Sequence, residues 1–339
     1  MKTAVVVDKD YGSITLEELE SLKKELEKDG IMLRLCHFQT EEEIINNCQE
    51  VEAILGTGNP PITAQVLTHL PQLKVVQRFG IGVNSIDLET ASACKTAVLY
   101  MPGFSVDELA VHAAALILAL IRNTAYYDRH IRAGEWPKAS YYTPKAPGDL
   151  TLGLFGFGGS AKPLYKIFHN GFGTKVIACD PYISEEVRRE YETVEFVDFD
   201  TLLRRSDIVS IHAPLNKETE HIFDKSAFQR MKQDSMIINI ARGPLIKEND
   251  LIWALKHGEI RYAGLDVFEK EPLSEDSPLK NMDNVLLTCH SAFYGVNSKK
   301  RQLTWARELL VGALNEGVIP KVFLANQSLL KQEGEYQFI

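Results

Sequence analysis

Apolar positions along the chain follow two alternating periods. Ala4–Val7 is a short β-branched run that reads as a buried strand. Leu16, Leu19, Leu22 and Leu26 then recur at helical spacing. Thr15 and Glu18 precede them in a capping box, and Gly30 stops the helix. Met32–Leu35 is again a strand, Thr40 with Glu43 opens a second helix, and Val51–Leu55 is the next strand. Ile62–Leu70 is a short helix ended near Pro71, and Leu73–Phe79 is a strand running into Gly80-Ile81-Gly82. Short, continuously apolar strands separated by helices imply a parallel sheet covered on both faces.

Ser105 and Glu108 have capping-box spacing and predict a helix over Leu109–Ile121, apolar all round except for His112. Such a helix must be covered on every side, inside the fold or by a second subunit. Ser140–Asp149 is turn-rich and non-periodic, a loop before a second strand–helix series. That series runs through Leu150–Phe155, Lys175–Cys179, Ile208–Ile211, Met236–Ile240, Ala263–Val267 and Asn284–Thr288, followed by a helical C-terminal stretch. There is no 20–50-residue repeat and no low-complexity segment.

The 339 residues exceed what one hydrophobic core ordinarily holds, so two domains are expected. Apolar residues at 45% and charged residues at 24% are ordinary for a globular protein and exclude a disordered or fibrous chain. The net charge of −9 repels phosphate backbones, so no nucleic-acid partner is expected. The longest apolar stretch falls short of the roughly 20 residues that span a bilayer. MKTAVVVDKD lacks the apolar core of a signal peptide, so the expectation is a soluble, cytoplasmic protein without a membrane partner. The five cysteines are scattered with no Cys-x-x-Cys pair, so neither a metal site nor a disulfide framework is expected.

Chemistry enters at Leu152–Phe155, a strand running into Gly156-Phe157-Gly158-Gly159-Ser160-Ala161 and then a helix. Gly156 permits the tight turn, Gly158 lets backbone approach a pyrophosphate, and Ala161 allows close helix–strand packing. The helix N-terminus adds free N–H groups and partial positive charge for phosphate. Asp180, 19 residues beyond Ala161 at the end of the next strand, suits the adenosine ribose hydroxyls and repels a 2′-phosphate, which favours NAD over NADP. A methyltransferase-type nucleotide site is the competing reading. Three further segments each place polar residues just past a strand, where ligands sit in open α/β sheets. They are Asn239–Gly243 with Arg242, Gly264–Pro272 with Asp266 and Glu271, and Leu287–Tyr294 with His290. Together they supply a cation, an orienting carboxylate and a proton donor, the parts needed to reduce a carbonyl beside a carboxylate.

With these residues in place, the sequence resembles the NAD-dependent D-isomer-specific 2-hydroxyacid dehydrogenases. The likeness runs through Arg78–Asp87, Pro102–Ser105, Arg132–Trp136, the glycine loop, His212-Ala213-Pro214-Leu215 and the Arg, Glu and His segments. His290-Ser291-Ala292-Phe293-Tyr294 looks like the D-lactate and D-hydroxyisocaproate branch, and Glu269-Lys270-Glu271-Pro272 like the C-terminal-binding-protein corepressors. The resemblance implies that Arg242 clamps a 2-oxo acid, that His290 exchanges the proton at its carbonyl, and that Glu271 holds the imidazole. It implies a cofactor site of Gly156, Gly158, Gly159, Ser160, Ala161, Asp180, His212, Ala213 and Pro214, with Asp266 receiving the nicotinamide carboxamide. Substrate would meet the N–H groups of Ile81 and Gly82, with Arg78 adding charge and Phe104 and Phe293 lining the side-chain pocket. An NAD(H)-binding corepressor-like scaffold with little turnover is the alternative.

Departures from the family pattern are Ser160 in place of an aliphatic residue, Asn84 where Asp is common, and Cys289 in place of a proline, its thiol expected to be packed. The implied architecture is α/β, with two Rossmann-like doubly wound parallel-sheet domains. Residues 1–101 and 295–339 form a discontinuous substrate domain, and residues 102–294 an inserted NAD-binding domain, with reaction in the cleft. Leu109–Ile121 fits the family's interface in a homodimer.

Overall fold

The computed structural model describes residues 1–8, 14–137, 143–332 and 336–339. Of the loop expected over Ser140–Asp149, the first three positions lie outside the described residues. The rest ends in a single 3-10 turn, Pro147–Asp149. The chain divides into two compact units, Met1–Phe104 with Tyr294–Ile339, and Ser105–Phe293. Pro102–Phe104, expected with the second domain, thus lies in the first unit, as does Tyr294.

The first unit holds strands β1 (Lys2–Val6), β2 (Ile31–Leu35), β3 (Ala53–Gly56), β4 (Val75–Arg78) and β5 (Ala97–Leu99). They form one parallel sheet in the order β2-β1-β3-β4-β5, with β1 and β3 at the point where the order reverses. Its helices are α1 (Leu16–Lys28), α2 (Glu41–Asn47), α3 (Ala64–His69) and α4 (Leu88–Ala93). Both expected capping boxes close, at Thr15 with Glu18 and at Thr40 with Glu43. Gly30 turns at φ 79° just past α1, a conformation open to glycine without a Cβ penalty. Val5, Ile54, Val76 and Val98 from four strands pack with Ile44 of α2 and Val66 and Leu67 of α3 on one face. β5 escapes the sequence pattern because it is only three residues long.

The second unit holds α5 (Val106–Arg122), α6 (Thr124–Arg132), β6 (Thr151–Phe155), α7 (Ala161–Phe172), β7 (Lys175–Cys179), α8 (Glu185–Glu190) and β8 (Glu195–Phe196). It continues with α9 (Phe199–Arg205), β9 (Ile208–Ile211), α10 (Lys225–Arg230), β10 (Met236–Asn239), α11 (Glu248–His257), β11 (Tyr262–Leu265) and β12 (Val285–Leu287). Its seven-stranded sheet is parallel throughout, in the order β12-β11-β10-β9-β6-β7-β8. Strand residues alternate between two cores. Leu152, Leu154, Val176, Ala178 and Ile208 meet α5 and α7, whereas Phe155, Ile177, Val209 and Ile211 meet α9, α10 and α11. That is the pattern of a sheet wound on both faces. The order reverses between β6 and β9, which opens a crevice at their C-terminal ends. The chain then returns to the first unit as α12 (Val296–Val311) and a small sheet of β13 (Val318–Ile319) and β14 (Gln337–Phe338).

One expectation about α5 needs correction. The helix starts at Val106, not Leu109. Ser105 stands at its N-cap without a capping bond, and its buried hydroxyl has no partner among the described residues. The Ser105 backbone, at φ −137° and ψ 27°, is not the extended conformation that aims a cap at the first turn. Within this chain one face of the helix stays open. Ala113, Leu116, Ile117 and Leu120 are buried, but Val111 is 60% exposed and Ala115 is exposed one turn on. Among the described residues, no single helix is long and apolar enough to cross a membrane. All five cysteines are free. No described group of three or more His, Cys, Asp or Glu side chains could hold a metal.

Candidate active site

The C-terminal ends of β6, β7 and β9 carry the nucleotide-type features. Gly156 has φ 89°, and a Cβ there would lie 2.9 Å from the backbone of both His212 and Ala213. Only glycine lets the turn after β6 approach the segment after β9 this closely. Asp180, just past β7, accepts from Phe157 N–H at 2.9 Å through Oδ2 and from Tyr182 N–H at 3.0 Å through Oδ1. The carboxylate therefore fixes the glycine loop as well as presenting charge at the strand end. Among the described residues, no protein acceptor engages the N–H groups of Gly158, Gly159, Ser160 and Ala161. Four donors at the start of a 12-residue helix, with nothing within 4 Å of a Cβ on Gly158, form a cradle that fits a pyrophosphate. The acid at Asp180 fits a ribose. His212 lies behind this loop, where burial pushes its pKa down to about 3 and keeps the ring neutral. Ala213 is partly exposed and Pro214 exposed in the loop beyond it.

Around β10, β11 and β12 the three chemical segments come together. Glu271 Oε2 lies 2.7 Å from His290 Nδ1, while Oε1 accepts from Phe268 N–H at 3.0 Å. Burial alone would raise the Glu271 pKa, yet the His290 and Phe268 bonds leave it below the usual carboxylate value. Among the described residues, Nε2 of His290 has no protein partner. His290 itself sits in the left-handed region at φ 54°, a conformation that costs a non-glycine residue stability and clusters at functional sites. Asp266 compensates. Its backbone carbonyl accepts from His290 N–H at 2.7 Å. Its fully buried carboxylate takes Thr288 Oγ1 at 2.6 Å, Ser291 N–H at 2.9 Å and Ala292 N–H at 3.0 Å. His112 of α5, the polar interruption of that helix, bonds Thr288 Oγ1 at 3.0 Å. The Asp266 carboxylate is therefore committed to organising the histidine loop.

Arg242 follows β10. Burial holds its pKa below the usual guanidinium value, with the Glu271 charge opposing the shift. Its Nη1 donates to Ala241 O at 2.6 Å, and Asn239 braces the turn through Ala241 N–H and Arg242 O. Gly243 explains how the arginine and glutamate segments pack so closely. A Cβ there would fall 1.8 Å from Phe268 O and 2.5 Å from Glu269 N. Asn239, Gly243 and Thr288 carry no chemistry in a one-dimensional reading, and only their contacts bring them to notice. Cys289, expected to be packed, is exposed.

The residues expected on the substrate side divide between the units. In the first unit, Arg78 ends β4 and donates through Nε to Gly82 O at 2.8 Å and through Nη1 to Gly56 O at 3.0 Å, which shapes the Gly80–Gly82 turn. Among the described residues, no protein acceptor engages the N–H groups of Ile81 and Gly82. Phe104 is buried, and its carbonyl accepts from Arg301 Nε of α12 at 2.5 Å. In the second unit, the Phe293 ring stands edge-on to His290 with centroids 6.2 Å apart.

Comparison with known proteins identifies the family. The family model for the NAD binding domain of D-isomer specific 2-hydroxyacid dehydrogenases matches residues 114–292. A glyoxylate reductase of Thermofilum pendens is 37% identical over 300 residues, covering 86% of each chain. A D-3-phosphoglycerate dehydrogenase of Archaeoglobus fulgidus is 35% identical over 79% of this chain, which spans half of that relative's length. Among solved structures, a D-lactate dehydrogenase from Aquifex aeolicus complexed with NAD and lactic acid superposes with a TM-score of 0.81. Its identity is 25%, over 93% of this chain and 96% of that one. The chain belongs to the D-isomer-specific 2-hydroxyacid dehydrogenase family, NAD-dependent oxidoreductases that act on small 2-oxo and 2-hydroxy acids.

Proposed function

We propose that this protein reduces a 2-oxo acid to a D-2-hydroxy acid with NADH, and runs the reverse reaction with NAD, using His290 and Glu271 as the acid–base pair. The observation that carries this reading is the 2.7 Å contact of Glu271 Oε2 with His290 Nδ1, which leaves Nε2 available for a proton. Bound NADH supplies the hydride to the carbonyl carbon. In this scheme His290 Nε2 donates a proton to the carbonyl oxygen during reduction and takes it back during oxidation. Glu271 fixes the ring orientation and stabilises the imidazolium. Arg242 binds the substrate and polarises its carbonyl with a guanidinium whose partial burial strengthens the interaction. The N–H groups of Ile81 and Gly82 hold the substrate carboxylate, Arg78 sets the turn that presents them, and Phe104 and Phe293 favour an apolar side chain. On the cofactor side, Gly156, Gly158, Gly159, Ser160 and Ala161 form the phosphate cradle, Asp180 takes the ribose hydroxyls, and the His212–Pro214 segment walls the site. Asp266 offers the carboxamide its place through the loop it organises. We further propose a homodimer, supported by the open face of α5 at Val111 and Ala115.

The test is NADH oxidation with a panel running from glyoxylate and hydroxypyruvate to pyruvate and branched or aromatic 2-oxo acids. Turnover on at least one member, lost in Arg242→Ala and His290→Ala, is the expected result. Tight NADH binding with no turnover on any member would overturn the catalytic reading in favour of an NAD(H)-binding scaffold.

A further inference from the structure

Two glutamine side chains lie buried where β4 meets α12 in the first unit, Gln77 on the strand and Gln302 on the helix. Their amides reach across in opposite directions. Gln77 Nε2 donates to Ala306 O of α12 at 3.0 Å, and Gln302 Nε2 donates to Phe79 O, one residue past the end of β4. Among the described residues, neither amide oxygen has a partner. A buried acceptor without a donor costs stability, and an apolar side chain of similar shape would avoid that cost. Packing β4 on α12 therefore does not call for these amides, and their use lies in the donors.

The two donors are not equivalent. Ala306 lies inside α12, where the helix's own ladder serves its carbonyl. Phe79 lies beyond Gln77 and Leu99, the last pair of β4 with β5, and among the described residues no backbone donor reaches its carbonyl. Gln302 is what holds that peptide group. Later carbonyls of the turn are tied to other elements, Gly80 O by Met101 N–H at 2.9 Å and Gly82 O by Arg78 Nε at 2.8 Å. These peptides are trans, so each N–H points opposite to the carbonyl of the residue before it. Fixing Phe79 O against α12 turns the Gly80 N–H away from that helix, and fixing Gly80 O turns the Ile81 N–H away from Met101. Among the described residues, no protein acceptor takes the N–H of Gly80, Ile81 or Gly82.

We propose that Gln302 is a positioning residue for the substrate. By holding the Phe79 carbonyl it sets the first peptide plane of the Gly80–Gly82 turn, and so aims the N–H groups that receive the carboxylate of a 2-oxo acid. The inference rests on the reading that Ile81 and Gly82 bind that carboxylate.

The experiment is steady-state kinetics of the full-length protein with the best 2-oxo acid of the panel. Ki for oxamate, an unreactive carboxylate analogue, and NADH affinity by fluorescence are measured alongside. Gln302→Met keeps the length of the side chain and removes the donor. KM for the 2-oxo acid and Ki for oxamate should rise together about 3- to 10-fold, the worth of one hydrogen bond, while kcat and NADH affinity stay within about twofold of wild type. Gln77→Met is the matched control. It strips an amide from the same strand–helix contact but leaves the turn tied, so KM and Ki stay within about twofold of wild type.

Unchanged KM and Ki in a folded Gln302→Met protein would overturn the proposal. So would an equal rise in Gln77→Met, which would assign the effect to loosened packing. If Gln302→Met does not fold, Gln302→Asn decides by the same measures, because its amide stops one methylene short of the Phe79 carbonyl. A wild-type protein that neither turns over a 2-oxo acid nor binds oxamate would refute the carboxylate reading itself. Wild-type turnover with Gln302→Met unaltered refutes only the role of Gln302.

Discussion

Gly243→Ala is the sharpest probe of how the arginine and glutamate segments depend on each other. The added Cβ would lie 1.8 Å from Phe268 O, 1.9 Å from Phe268 C and 2.5 Å from Glu269 N, all of them backbone atoms that no rotamer can move. Ordinary contact begins at 3.4 Å, so the two segments must part by about 1.6 Å. The Gly243–Leu245 turn cannot swing away freely, because Pro244 O accepts from His221 N–H at 2.7 Å and Leu245 O from Phe223 N–H at 3.1 Å. The displacement therefore passes into Arg242 on one side or into the Phe268–Glu271 loop on the other. A misplacement of about 1 Å in a catalytic group costs on the order of 10²-fold. We expect kcat to fall at least about 10²-fold, equivalent to about 2.7 kcal/mol of transition-state stabilisation. Overpacking should cost a further ~1–3 kcal/mol of stability, visible as a lower Tm. NADH affinity, read by fluorescence, should stay close to wild type, which separates a misplaced catalytic group from a collapsed domain. A folded Gly243→Ala enzyme with kcat within about threefold of wild type would refute the reasoning.

Replacing His290 with alanine should lower kcat by at least about 10²-fold in steady-state assays while leaving NADH affinity in place. Glu271 has a folded pKa below its ordinary value, so the pair contributes stability above roughly pH 4.3 that is lost as pH falls through the folded value. Thermal melts should therefore show an acid-side loss of Tm in the wild type that is smaller in Glu271→Gln, and identical slopes would count against the ion pair. Asp180→Asn keeps an acceptor for Phe157 and Tyr182 but removes the charge, so the ratio of NADPH to NADH kcat/KM should rise about tenfold with little change in Tm.

Where local chemistry dominates, the chain was legible from its residues. Periodicity separated strands from helices because a buried strand and an amphipathic helix demand different spacings, and it located β6, β7, β9 and β10 to within a residue. The glycine loop and Asp180 were readable because a phosphate-binding turn needs particular residues at fixed local offsets. The failures came where local rules met long-range competition. Ser105 has capping-box spacing, yet its backbone is turned away from the cap and its hydroxyl buried. Pro102–Phe104 reads as part of the second domain, yet it lies in the first unit, where the Phe104 carbonyl accepts from Arg301 197 positions away.

Sequence alone thus determined the fold class and the NAD cofactor, and the family resemblance pointed to the Glu271 and His290 that the structure sets 2.7 Å apart. Tertiary structure alone decided how those groups are held. Asp266 gathers the histidine loop from 22 to 26 residues away, and Gly243 yields its Cβ space to Phe268. Such relations have no period in the chain. They exist only once parallel strands set distant loops side by side at one edge of a sheet, where a buried acceptor or a missing methyl group becomes a constraint on chemistry.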